Sequence, residues 1–252
     1  MKTKYCFLTL LLALFCIPGF SQELTDAPID FSLQVKNMHL LRGQQVTNAA
    51  LADVDIHVFD KNKMFKAGLW GAASFNGVYR EFDYYVSFEK AGFSIALWDI
   101  YNFSTNETGW NHDKVFNYSA RETGHFLDLA VAYQFQGKFP LKISWATVLF
   151  GRDRGGFDLN TKNRYSTYVS LDCPVLRHHV VNLDFGIAGA FALDKYSGTK
   201  ANFYGDTAGI VNVNMTASKV LNIGKFKLPV SAMAMWNPMQ NIANIQVAFD
   251  LF

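Results

Sequence analysis

The chain has little of what many folds rely on. Its 252 residues hold three cysteines and six prolines. Cys6 and Cys16 fall in an N-terminal segment set apart below, so Cys173 stands alone beyond it, with no internal disulfide and no cysteine metal site. Charge of one sign is also scarce, because the formal net charge is only +2. Losing Lys2 and Lys4 with that segment brings it to zero, which leaves no basic excess to hold a nucleic acid. After Ser21 no apolar run approaches the roughly 20 residues that a membrane-spanning helix needs. There is no phosphate-cradling glycine loop and no zinc-ligand spacing, so no cofactor or metal is expected.

What is present starts at the N-terminus. Lys2 and Lys4 precede an apolar run from Tyr5 to Ile17, followed by Pro18, Gly19, Phe20 and Ser21. That order predicts a secretory signal peptide over residues 1–21, cleaved before Gln22. Half of the residues are hydrophobic and 15% are aromatic. An exported chain of that composition without a spanning helix points to a closed β-barrel, since only helices and closed barrels satisfy every backbone polar group in lipid. The predicted location is the outer membrane, with its lipids as the first partner.

The strongest pattern along residues 22–252 is alternation with period two, which sends successive side chains to opposite faces of a strand. Leu127, Leu129, Val131, Tyr133 and Phe135 share one face against Asp128, Ala130, Ala132, Gln134 and Gln136. Val211, Val213 and Met215 oppose Asn212, Asn214 and Thr216 in the same way. The segments predict an all-β, transmembrane antiparallel barrel of about twelve strands. They run near residues 30–41, 49–59, 64–74, 78–89, 93–103, 123–136, 140–150, 163–173, 179–191, 207–221, 226–236 and 242–252.

An even count puts both mature termini on the periplasmic side, so alternate connections should be short periplasmic turns. Asp60 to Lys63, Lys90 to Gly92, Gly137 to Phe139, Pro174 to His178 and Asn222 to Lys225 fit that phase. The longer segments Ser104 to Glu122, Gly151 to Lys162 and Ala192 to Asp206 fall in the other, extracellular phase. A periplasmic β-sandwich is the competing fold, with its polar face toward water. Aromatics near the predicted turn ends, Phe65, Phe88, Phe93, Tyr133, Phe135 and Phe249, suit a headgroup girdle better. The last strand alternates through Ile245, Val247, Phe249 and Leu251 and ends at Phe252. It resembles the C-terminal signal read by barrel-assembly machinery, although Phe252 lies in the opposite parity.

Short pieces in order resemble TorF-type porins: Leu41-Arg42-Gly43-Gln44, Gly68-Leu69-Trp70, Glu81-Phe82-Asp83-Tyr84-Tyr85, Gly124 to Tyr133, and Tyr165-Ser166-Thr167-Tyr168-Val169. Asp99-Ile100-Tyr101-Asn102 departs from that pattern. The resemblance implies an outer-membrane channel for small solutes.

In a pore, function sits on the lumenal face, where charge sets ion preference. Strand parity puts Asp53, Asp55, Glu81, Asp83, Glu89, Asp128, Asp172, Asp184 and Asp250 there against Lys36, Lys66 and Lys142. A water-filled lumen of that kind favours cations or polar neutral solutes. The alternative is a polar interior paired internally in a non-conducting surface barrel whose loops bind a partner. Candidate lumen and constriction residues are Lys36, Arg42, Asp55, Trp70, Glu81, Asp83, Tyr85 and Asp128, with Arg42 expected to reach Glu81 or Asp83 across the lumen. A lipid hydrolase is the remote alternative, resting on Asn37 and His39 sharing the outward face of the first strand. No serine falls on that face of the assigned strands, so an enzyme is not expected. His178 and His179 read as a solvated turn.

Overall fold

The computed structural model describes residues 28–104, 114–120, 122–154, 162–194 and 200–252. The predicted signal segment lies outside them. Among the described residues there are fourteen strands and no helix. Twelve close into an antiparallel barrel: β1 (Ile29–Lys36), β4 (Leu51–Phe59), β5 (Phe65–Ser74), β6 (Arg80–Lys90), β7 (Phe93–Asn102), β8 (His125–Gln134), β9 (Lys142–Gly151), β10 (Ser166–Arg177), β11 (Asn182–Ala192), β12 (Gly209–Ile223), β13 (Phe226–Asn237) and β14 (Ile242–Asp250). Each pairs with its neighbour, and β1 pairs with β14 through Gln34, Val35 and Lys36 to seal the ring. β2 (His39–Leu41) and β3 (Gln44–Thr47) form a separate hairpin.

The barrel is inside-out relative to a soluble protein. Ile56, Leu69, Val86, Met215 and Ile245 stand 42 to 61% exposed on the outer wall, while Asp53, Glu81, Asp83 and Asp128 are buried. A sandwich would bury the apolar face, and a closed wall with this polarity has lipid as its matching solvent. Short turns gather at one end, where Lys90 pairs with Phe93 across Ala91 and Gly92, both left-handed at φ 50° and 85°. The long connections gather at the other end. Aromatic pairs ring the turn end, with Phe65 against Phe88 at 4.8 Å and Tyr133 against Phe135 at 5.1 Å between ring centroids.

Four expectations are corrected. The first strand, expected over 30–41, stops at Lys36, because Asn37 takes over the ladder. Its backbone N–H donates to the Val247 carbonyl at 3.2 Å, and its amide group accepts from Val247 N–H at 2.8 Å and donates to the Ile245 carbonyl at 3.1 Å. The turn expected at Pro174 to His178 lies beyond Arg177. Pro174 lacks an N–H for the ladder, and the strand absorbs it with a register shift between Pro174 and Leu176. Val211 points inward, opposite to its expected face, since β11 and β12 slip register between Ala188 and Gly189. Phe252 escapes strand parity altogether: β14 ends at Asp250, and the Phe252 ring swings against outward Phe31 at 5.9 Å.

At the loop end of β7 the outer wall is covered rather than bare. Asp99 and His125 follow the outward parity of Leu97 and meet at 2.8 Å. Tyr118 donates to Asp99 at 2.6 Å, and His125 lies 2.5 Å from the Val115 carbonyl. This polar set pins residues 115–118 against the barrel.

Candidate functional site

The β2–β3 hairpin is not part of the wall. Diverted at Asn37, the chain enters the lumen, turns at Leu41-Arg42-Gly43-Gln44 and returns to β4. Leu41 pairs with Gln44, and Arg42 and Gly43 between them have φ 49° and 83°. Two left-handed residues in a two-residue connection make the type I′ turn that matches hairpin twist. Gly43 suits it doubly, because a Cβ there would lie 2.1 Å from the Val211 carbonyl oxygen on β12.

The tip is tied to several walls. Arg42 makes a two-pronged contact with Asp128 on β8, at 2.9 Å from Nη1 to Oδ1 and 2.6 Å from Nη2 to Oδ2. β8 lies five strands from β1 one way round the ring and seven the other, so this arginine crosses the lumen. Its Nη1 also donates to the Tyr204 hydroxyl at 3.0 Å, and its guanidinium lies 5.8 Å from the Tyr168 ring centroid. Asn237 donates to the Gly43 carbonyl at 3.0 Å, and Gln44 to the Tyr204 carbonyl at 2.8 Å. Below the tip, along β14, Leu40 N–H donates to Gln246 at 2.9 Å and Gln45 to Asn244 at 2.8 Å. Asp128, Val211 and Asn237 are fully buried beneath these contacts. Burial also lifts the Tyr204 phenol above its usual range, against the pull of Arg42, so the group stays a neutral hydroxyl.

The other candidates form paired sets around this bar. Lys36 Nζ lies 2.8 Å from Asp53, which also accepts from the Trp70 indole at 3.2 Å. Asp55 lies 2.6 Å from His57 Nδ1 and accepts from Tyr85 at 3.0 Å, and the Tyr85 ring stacks on Trp98 at 4.1 Å. Gly68 makes room for that stack, since a Cβ there would meet the Tyr85 ring at 2.6 Å. Asp83 accepts from Tyr101 N–H at 3.2 Å, and both Glu81 and Arg152 act on it electrostatically. Arg42 therefore does not reach Glu81 or Asp83 as expected; the hairpin points it at Asp128 instead. Asn37 and His39 also separate. Asn37 bonds β14, while His39 sits in the lumen between Trp70 and Tyr79 at 5.6 and 5.9 Å.

The turn-end half of the lumen is roomier. A cavity of about 270 Å³ runs from Arg42 down past Tyr168, Ser144, Ser170, Ala130 and Ala146. A second, of about 410 Å³, adjoins it through Glu89, Ser94 and Lys142 and reaches the turn-end mouth. Toward the loop end, small apolar clusters stand against the wall, one around Ile100, Phe126 and Val148 and another around Leu51, Ala72 and Tyr79. The described residues thus present a vestibule open at the turn end and stopped by the hairpin. Among them no group of three or more histidine, cysteine or acidic side chains could hold a metal.

Strand alternation did not reveal Tyr204, Asn237 or the role of Tyr168. Tyr204 lies in a connection where the period-two signal is silent, and the pairing of Asn237 with a carbonyl depends on where the hairpin tip lands.

No family model matches the chain, and no curated protein matches it. Among solved structures it is similar to an outer membrane channel from Pseudomonas putida F1, at 10% sequence identity and a TM-score of 0.46, over 92% of this chain and 97% of that one.

Proposed function

We propose that this chain is exported, inserted in the outer membrane, and works as a channel for small polar solutes that the β2–β3 hairpin holds closed in this conformation. One observation carries the proposal. The lumen is polar and partly hollow, and a loop rather than a wall strand crosses it, tied to the far wall through Arg42 and Asp128. A barrel meant only to be solid could fill its interior from its own strands, as narrow barrels do. Residues 1–21 supply export in this reading, and the strand ending at Phe252 supplies recognition by the assembly machinery. The loop end then faces outward and the vestibule faces the periplasm. The resemblance to TorF-type porins agrees with it.

The acidic wall needs a narrower statement than alternation suggested. Asp53, Asp128 and Asp184 each hold a cationic partner, Lys36, Arg42 and Arg177, and Glu89 faces Lys66 at 4.0 Å. These pairs take four of the nine lumenal carboxylates, and withdrawal of the hairpin removes Arg42 from Asp128, so the preference for cations rises in the open state. The test is solute efflux from liposomes carrying the refolded chain, native or with residues 38–48 replaced by a short turn. We expect slow efflux from the first and fast efflux of small polar solutes from the second.

The apolar clusters toward the loop end favour one other reading, a non-conducting surface barrel. Efflux absent from both proteins would establish that reading and end the channel.

A further inference from the structure

We propose that Asp128, Tyr204 and Tyr168 form a binding site for a small guanidinium-bearing cation, which Arg42 of the hairpin occupies in its place while the barrel is closed. The proposal rests on the channel reading only for its purpose, since the site exists in the closed barrel whether or not current flows.

The chemistry is specific to that group. Both oxygens of Asp128 accept from the same planar fork, at 2.9 and 2.6 Å, and the Asp128 side chain is fully buried. The Tyr204 hydroxyl takes a further contact from Nη1 at 3.0 Å. The Tyr168 ring stands by the guanidinium at 5.8 Å, and its hydroxyl is held in place by Asn212 at 2.8 Å. A carboxylate, a hydroxyl and an aromatic ring match the fork, donors and flat face of a guanidinium. An ammonium is a compact point charge and leaves the fork geometry unused. Asp128 also cannot remain buried and charged when Arg42 leaves, because an unpaired buried charge is strongly disfavoured. Some cation, or water, must follow.

Access comes from the vestibule. Arg42 forms part of the lining of the 270 Å³ cavity, and its own side chain is 20% exposed. A small guanidinium entering from the turn end meets the Arg42 side of the site through this cavity. It must displace a tethered competitor whose effective concentration is on the order of millimolar. A solute that wins this exchange releases the hairpin tip, so that binding and opening become one event.

The experiment is chemical rescue by methylguanidinium on the full refolded chain in detergent, read by isothermal titration at low salt. We expect Arg42→Ala, which vacates the site, to bind methylguanidinium at least tenfold more tightly than the native protein. Adding Asp128→Asn should abolish that binding, and Tyr204→Phe in the Arg42→Ala background should weaken it several-fold. Methylammonium and urea, which carry the charge without the shape and the shape without the charge, should bind at least tenfold more weakly. Each variant is used only if it shows the heat-modifiable gel mobility of a closed barrel. Methylammonium binding as well as methylguanidinium, or Arg42→Ala binding no better than the native chain, would overturn the site. Binding without conductance in any variant keeps the site and removes the channel; conductance without binding does the reverse.

Discussion

Substituting Gly43 by alanine should throw the hairpin out of the lumen while leaving the barrel closed. The new Cβ would lie 2.1 Å from the Val211 carbonyl oxygen, where ordinary contact begins near 3.4 Å, so the tip must withdraw by more than an ångström. A left-handed alanine adds about 1–2 kcal/mol. The same withdrawal stretches both Arg42 contacts with Asp128 and leaves a buried carboxylate unpaired, at about 3–5 kcal/mol when such a pair is broken. A total of about 4–7 kcal/mol shifts the closed-to-open ratio by about a thousandfold or more. Trypsin reports it directly, because the bond after Arg42 is protected only while the tip is seated, and cleavage follows the open population when opening is fast. The native chain should be cut there slowly and Gly43→Ala at least a hundredfold faster. Equal rates would refute the seating of the hairpin. Loss of heat-modifiable mobility would show that the hairpin holds up the barrel itself.

Two other outcomes follow from the wall and its turns. Cys173 follows the outward parity of Leu171 and pairs with Phe185. In lipid vesicles it should react with an apolar maleimide and resist a membrane-impermeant charged one; rapid labelling by the charged reagent would mean that this face meets water. In the turn after β4, the Asp60 carboxylate accepts from the N–H groups of Phe65, Met64 and Asn62, and chiefly the Phe65 contact holds its pKa below the usual carboxylate range. A lowered value means that this support is present above the ordinary carboxyl range and is lost as pH falls through the folded value. Amide exchange at Met64 and Phe65, corrected for its intrinsic pH dependence, should lose protection only under acid. In Asp60→Ala that protection should be missing at neutral pH as well; unchanged protection would show that the carboxylate does not organise the turn.

Much of the wall could be read from alternation, and the reason is physical. Lipid outside and water or polar groups inside impose opposite preferences on successive residues, so Asp55 and Ile56, or Val86 and Ser87, declare their faces locally. The hairpin was only half legible. The alternation inverts its phase at residue 37, with polar Asn37 and His39 following Phe31, Leu33 and Val35, but the capture of β14 by the Asn37 amide, which diverts the chain inward, leaves no mark in that pattern. The partner of Arg42 was equally out of reach, since Asp128 lies 86 residues away and becomes opposite only when twelve strands close. Val211 shows the limit of parity within a strand, where one slipped register reverses a side chain. The excess of lumenal carboxylates was visible, and so were Lys36 and Arg42 as cations to meet them, but not that Arg42 holds Asp128 or that Arg177 holds Asp184.

The central claim is that a hairpin, not the wall, closes this barrel. Single-channel current in planar bilayers measures it most directly, comparing the native chain with one in which residues 38–48 are replaced by a short turn. The account predicts rare, small openings for the native chain, and for the shortened one steady conductance with a reversal potential that favours cations over anions. Identical traces from the two, whether both open or both silent, would contradict it.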